Sequence, residues 1–290
     1  MAVDDTKALF FDRNLCALTP LDPEKARGYL ADLSERAQSE DLSQVVELLR
    51  NGKAQGFLGA VLDLSPFIRE SLIRHPGILA RIASNPPEAA LKDILVEISN
   101  SGTEEGVTEA ALMASLRQRK REAHVLIALC DLAQIFNTEA TTGWLTDLAE
   151  ACTGAAIRFL LREADSAGKI KLSDRDNPEK GSGWIVLGMG KFGASELNYS
   201  SDIDLIVFID SERPAIIDPY ECVDTFSRMT RRLVRILQDR TADGYVFRVD
   251  LRLRPDPGST PLAIPVGAAL HYYEGRGQNW ERAAMIKARP

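Results

Sequence analysis

The sequence predicts an α+β chain: an all-helical region followed by a domain with a small mixed sheet. Two observations carry this. Through residues 21–167 apolar side chains recur at helical spacing. Beyond about Gly183 they gather into short runs of β-branched and aromatic residues, parted by Gly, Pro and Asp. A polar stretch rich in Gly, Lys and Asp, Ser166–Gly183, lies between the two patterns and reads as a linker. Helices first and a sheet with helices after them imply separate packing layers. The expected division is a helical domain over 1–178 and a sheet domain over 179–290.

Each element has its own signal. Asp22-Pro23, Ser65-Pro66 and Asn85-Pro86 each set a capping side chain before a proline, the residue whose fixed φ suits a first helical position. After Thr108, the residues Leu112, Leu116, Ala123, Ile127 and Cys130 keep to one helical stripe. The cluster Arg117, Arg119, Lys120 and Arg121 reads as a solvated helix face, because long basic side chains cover surfaces well. Strands are expected at Trp184–Leu187, Asp204–Ile209 and Tyr245–Leu253. A helix should run from the Asp218-Pro219 cap to about Asp239, with Val223, Phe226, Met229, Leu233 and Ile236 inward. Trp280 and Tyr273 read as packing residues.

Composition narrows the function classes. With 45% hydrophobic and 27% charged residues, the 290-residue chain can bury a core and is not a disordered segment. A net charge of −7 argues against a general nucleic-acid binder. No apolar run approaches the roughly 20 residues that span a bilayer, and the Met1-Ala2-Val3-Asp4-Asp5 start has no leader character. A cytoplasmic protein without membrane contact is the expectation. Cys16, Cys130, Cys152 and Cys222 are widely spaced and read as buried free thiols.

Gly188-Met189-Gly190-Lys191-Phe192-Gly193 fits the GxGxxG fingerprint of dinucleotide-binding folds, with Asp210 at the end of the next strand. That reading fails on length, because Ala194–Ser201 is too short for the crossover that joins parallel strands. Two acids at the head of the next strand, Asp202 and Asp204, also disagree with it. Those acids suggest other chemistry. Side chains two apart on a strand share a face, so the two carboxylates project together and repel unless a cation lies between them. A hard divalent ion meets that need: Mg²⁺, with Mn²⁺ as the alternative. On the third expected strand Arg248, Asp250, Arg252 and Arg254 alternate with apolar residues, setting a third acid among guanidiniums suited to phosphate oxygens. The glycine segment, Gly188 and Gly190 above all, then lets backbone approach a phosphate, with Lys191, Ser200 and Ser201 close enough in sequence to add donors.

Three strings, Leu187–Ile206 (LGMGKFGASELNYSSDIDLI), Val249–Pro255 (VDLRLRP) and His271–Pro290 (HYYEGRGQNWERAAMIKARP), resemble the bifunctional glutamine synthetase adenylyltransferase/adenylyl-removing family. The likeness is close over Gly181–Pro290. It is weaker through Leu64–Phe67, Arg74–Pro76 and the helix around Arg117–Ala133. It implies a nucleotidyltransferase fold shared with DNA polymerase β, and a chain that is a fragment of a longer protein with two catalytic halves. Tyr272-Tyr273 with Gly275 and Gly277, the Trp280-Glu281-Arg282 triplet and Lys287 fit the N-terminal, adenylyl-removing half better. By the same resemblance Asp202, Asp204 and Asp250 are metal ligands and catalytic. Gly190, Ser200 and Ser201 line nucleotide phosphates, and Arg252, Arg254 and Lys287 contact anions. The Asp256–Ser259 loop departs from the family's commoner forms and receives no role. The activity so implied is phosphorolytic removal of AMP from a tyrosine of glutamine synthetase, giving ADP. The implied partners are glutamine synthetase, a PII-type nitrogen-signalling protein, adenine nucleotide and phosphate. The alternatives are ATP-dependent adenylylation and a non-catalytic regulatory module.

Overall fold

The computed structural model describes residues 7–213 and 215–290, so the Met1–Asp5 start read above lies outside them. The chain forms two compact units. One takes residues up to Ile94 together with Arg121–Trp144, and the other takes Leu95–Lys120 with Leu145–Pro290.

The first unit is helical. It holds α1 (Pro23–Ser39), α2 (Ser43–Leu48), α3 (Gly52–Leu64), α4 (Pro66–Arg74) and α5 (Gly77–Ser84), and shares α6 (Pro87–Ser101), α7 (Glu109–Leu132) and α8 (Thr138–Ser166) with the second. Two expected starts appear as read. The Asp22 carboxylate accepts from the backbone N–H of Glu24 and Lys25 at 3.1 Å each, and the Ser65 hydroxyl accepts from Ile68 N–H at 3.3 Å. Such caps satisfy N–H groups that the helix itself cannot. Asn85 departs from its reading: it closes α5, its amide donating to Arg81 O at 3.1 Å. The α6 helix begins only at Pro87. Along α7 the stripe Leu112, Leu116, Ala123, Ile127 and Cys130 is wholly buried.

The second unit corrects the boundary at 178/179, because helical residues of the first half cluster with the sheet. Side-chain bonds explain this. Arg232 bridges Glu109 at 2.6 Å and Glu163 at 2.5 Å, and Leu197 N–H donates to the Thr146 hydroxyl at 3.2 Å. Nor is Ser166–Gly183 a free linker. Ile170 is buried and bridges to Ile216, Leu172 N–H donates to the Asp165 carboxylate at 3.0 Å, and Glu179 pairs with Arg158 at 2.8 Å.

The sheet contains β1 (Trp184–Met189), β2 (Ile203–Ile209), β3 (Val249–Asp250) and β4 (Ala263–Pro265). A four-residue helical turn, α9 (Gly190–Gly193), follows β1. The longer α10 (Cys222–Gln238) precedes β3, and α11 (Val266–Gly275) and α12 (Asn279–Ala284) follow β4. Strand β2 is central, antiparallel to the whole of β1 through residues 204–209 and parallel to β3 and β4. The antiparallel β1–β2 pair is incompatible with the parallel βαβ unit of a dinucleotide fold. Alternation sends Ile206 and Phe208 of β2 to one face, where they pack with Met189, Ile264, Ala269 and Tyr273. On the other face Trp184 stacks on Phe226 of α10, with ring centroids 6.0 Å apart.

Four further expectations are corrected. The α10 helix starts at Cys222, because the Asp218 carboxylate accepts from Tyr220 N–H at 2.8 Å and forms a turn first. The third strand, read as Tyr245–Leu253, pairs over only two residues. Upstream, Val246 and Phe247 N–H both donate to Leu237 O; downstream, Arg252 N–H donates to the Asp250 carboxylate at 2.8 Å and turns the chain away. Trp280 is 59% exposed rather than packed. The basic cluster on α7 is no uniform solvated face, since Arg117 is 1% exposed.

Candidate active site

Strand register builds the site. Met189 of β1 lies opposite Asp204 of β2, and Asp204 lies opposite Asp250 of β3. Asp204 is the single half-buried residue in an otherwise buried β2. Gly190, next after β1, has φ +55°, and a Cβ there would stand 2.7 Å from an Asp204 carboxylate oxygen. Only glycine meets both conditions. Gly193 is needed for close approach instead: a Cβ would overlap the carbonyl oxygens of Lys287 and Gly188. There the chain returns, with Gly188 and Arg289 exchanging backbone bonds at 2.7 and 3.0 Å.

The three acids differ in state. Burial pushes the Asp204 carboxyl above the usual carboxylate range, and the Asp250 and Asp202 charges push it further. Asp250 is held below that range by its bonds to Arg252. Arg252 grips it with Nε at 3.0 and 2.8 Å and Nη2 at 2.5 Å. Asp202, just ahead of β2, takes Arg248 Nε at 2.5 Å. Arg248 also donates to Ser200 O at 2.6 Å. Among the described residues no three acid, imidazole or thiol side chains gather closely enough to form a ready-made metal cage. Two of the acids turn to guanidiniums instead, which relieves part of their mutual repulsion.

Asp202, Asp250 and Arg252 line a cleft of about 600 Å³ with Val234, Gln238, Arg240, Tyr245, Arg248, Val249 and Leu251. The sequence reading placed Arg248 among the arginines without assigning it to the site, and it missed Tyr245, Gln238 and Arg240. Tyr245 was concealed as the first residue of the strand expected over Tyr245–Leu253, and Gln238 and Arg240 lie about the expected end of the preceding helix.

A profile of the glutamate-ammonia ligase adenylyltransferase family matches residues 56–290. The chain belongs to that family. Bifunctional glutamine synthetase adenylyltransferase/adenylyl-removing enzymes are its relatives. The one from Brucella suis biovar 1 (strain 1330) is 78% identical over 290 residues, covering 100% of this chain and 30% of the relative. The one from Mesorhizobium japonicum is 59% identical over 274 residues, 94% of this chain and 28% of the relative. The one from Bartonella quintana is 57% identical over 285 residues, 98% of this chain and 29% of the relative. The chain thus spans about 30% of the length of these curated relatives. Likeness to the family extends well beyond the three strings that carried the resemblance.

Within this adenylyltransferase-family chain, the remaining named residues divide. Gly188 lies within β1 opposite Leu205, and Gly190 follows β1 beside Asp204. Lys191, Ser200 and Ser201 lie on the turns between β1 and β2, where the Ser201 hydroxyl donates to Asn198 at 2.6 Å. Arg254 is committed to the loop after β3, donating to Leu251 O at 2.9 Å and Pro257 O at 2.7 Å. Lys287 pairs with Glu196 at 2.8 Å. Arg117 lies outside the cleft's lining. It donates to Asp239 O, Met113 O and Gly244 O at 2.5, 2.8 and 2.9 Å and so ties down the turn that leads to Tyr245.

Proposed function

We propose that this chain carries the adenylyl-removing activity of its family. Inorganic phosphate displaces a tyrosine of glutamine synthetase from AMP, and ADP leaves. The observation that carries the reading is the register of Met189, Asp204 and Asp250 on three adjacent strands, with Gly190 against the central carboxylate. The relatives' names supply the substrate class and both directions of transfer. The match to the N-terminal part of the relatives favours removal over addition.

The donor set fits a hard divalent cation. Asp202, Asp204 and Asp250 offer only carboxylate oxygens, and the raised Asp204 carboxyl is a group that a nearby cation would stabilise as an anion. Bound there, Mg²⁺ or Mn²⁺ would neutralise charge on phosphate oxygens. The chain's own residues do the rest. The Gly190 backbone admits a phosphate close to Asp204, and Arg248 and Arg252 stand ready to exchange carboxylate for phosphate, whose geometry their forks match. Such transfers rest on positioning and charge stabilisation more than on covalent help from the protein. A PII-type regulator and a cytoplasmic site of action belong to the same proposal.

The test is direct. The chain is incubated with adenylylated glutamine synthetase, phosphate and Mg²⁺, and the nucleotide product is identified. ADP supports the reading, whereas pyrophosphate formed from ATP, with none formed from phosphate, would assign the adenylylating reaction. Asp204→Asn should lower ADP formation by more than about tenfold, the usual minimum for a residue at a metal centre.

A further inference from the structure

We infer that the cleft beside β3 is a subsite for inorganic phosphate, held by Arg240, Arg248 and Tyr245. The inference rests on the phosphorolytic reading above and gives its second substrate a place.

Strand order supplies the first argument. Gly190 follows β1 and Asp250 lies on β3, so they flank Asp204 from opposite sides. An in-line displacement at phosphorus needs its attacking and leaving oxygens on opposite sides. If the AMP phosphate rests by Gly190 and Asp204, the cleft beyond β3 lies on the other flank.

The lining supplies the second. Arg252 is bonded to Asp250 and Arg248 to Asp202, but among the described residues Arg240 has no ion pair. Its guanidinium carbon sits 5.6 Å from the centroid of the Tyr245 ring, while Lys120 Nζ lies 5.4 Å from the same centroid. A guanidinium laid on a ring face keeps its N–H edge available to an oxyanion. Arg248 Nη1 donates to the Tyr245 hydroxyl at 3.3 Å, so that hydroxyl retains its own proton to donate. Arg240 against the phenol ring and Arg248 on its hydroxyl both line the cleft of about 600 Å³, and two guanidiniums so placed are suited to a small dianion.

The chemistry balances without another reactant. An oxygen of HPO₄²⁻ bonds to the AMP phosphorus, the bond from that phosphorus to the tyrosyl oxygen breaks, and the proton of the entering phosphate passes to the tyrosyl oxygen. ADP and free tyrosine result.

Inorganic phosphate, and separately AMP, would be titrated calorimetrically into the 290-residue chain with Mg²⁺. The proteins are wild type, Arg240→Gln and the control Arg175→Gln, whose arginine pairs with Asp165 outside the cleft. Arg240→Gln should weaken phosphate binding by about tenfold, as expected for a lost bond to an ion. It should leave AMP binding unchanged, and Arg175→Gln should alter neither. Arg240 is exposed and, among the described residues, has no ion pair and touches the Tyr245 ring, so an unchanged melting temperature should certify the fold. Wild type that binds no phosphate, an Arg240→Gln variant that binds it as tightly, or an equal loss of AMP binding would each overturn the subsite. The two readings also fail separately. Arg240-dependent phosphate binding without ADP formation would sink the phosphorolytic reading and keep the subsite. ADP formation with unchanged phosphate dependence in Arg240→Gln would sink the subsite and keep the reaction.

Discussion

The two edges of β2 are built differently. Along one edge β1 pairs over its full length, Trp184 to Met189, by backbone bonds. Along the other, β3 and β4 pair only with the two ends, Ile203-Asp204 and Val207–Ile209, leaving Leu205 and Ile206 without a strand partner there. The continuous edge delivers Gly190 to Asp204 through covalent geometry and register. The broken edge delivers Asp250, Arg248 and Tyr245 through side-chain bonds: the Arg252 grip on Asp250, the Arg248 grip on Asp202, and the Arg117 anchor on the preceding turn. Backbone pairing makes a rigid floor, whereas side-chain bonds can be exchanged for a ligand's.

Substitutions can break this contrast. The largest effect is expected on the continuous edge. Gly193→Ala sets a methyl on the carbonyls of Lys287 and Gly188, and since both are backbone we expect a loss of about 3 kcal/mol, the cost of overpacking a rigid contact. Chemical unfolding measures it, and a loss below half that figure would show that the return segment yields. On the other edge, Arg117→Met removes three bonds to backbone carbonyls from a buried site. We expect about 2 kcal/mol, because each buried acceptor left bare retains part of its desolvation cost. The accompanying loss of order at Tyr245 should appear as faster amide exchange over 239–247. Arg252→Ala should cost under about 1 kcal/mol, since its side chain is 84% exposed and exposed pairs contribute little.

The smallest effects concern the sign of the pH dependence. Asp204 has a raised carboxyl, so in the absence of metal its charge destabilises the fold. That penalty is absent at low pH and develops as pH rises from the ordinary carboxylate range to the raised folded value. Asp204→Asn should therefore raise the melting temperature slightly at pH 7 and change nothing once the carboxyl is protonated. Asp250 behaves oppositely: its lowered value contributes stability above the ordinary range, lost as pH falls through the folded value. Asp250→Asn should lower the melting temperature at pH 7. Equal signs for the two variants would remove the proposed difference between the edges.

Much of the continuous edge was legible in the sequence. The residues of β2, Ile-Asp-Leu-Ile-Val-Phe-Ile over 203–209, are β-branched, aromatic or leucine apart from one acid, the composition that strands favour. The caps at Asp22 and Ser65 and the stripe on α7 were equally plain, because a local bond or a period of 3.6 leaves its mark in neighbouring residues. The third strand was overcalled for the same reason in reverse. From Phe247 to Leu253 apolar and charged residues alternate, yet alternation states only which residues could share a face. It does not state whether a partner strand lies alongside, and the Asp250 turn removes the partner after two residues.

The sequence by itself therefore determined the helical first half, the two long strands, the glycine after β1 and the identity of the three acids. These depend on residue type and on spacing along a short stretch of chain. Only the tertiary structure decided that Arg117 is buried, that Arg248 and Arg252 hold the acids, that Lys287 faces Glu196, and that Arg240 and Tyr245 line the cleft. The reason is physical: a guanidinium bonds carboxylate, carbonyl and aromatic face about equally well, so its partner is set by what the fold brings within reach of a long, flexible side chain.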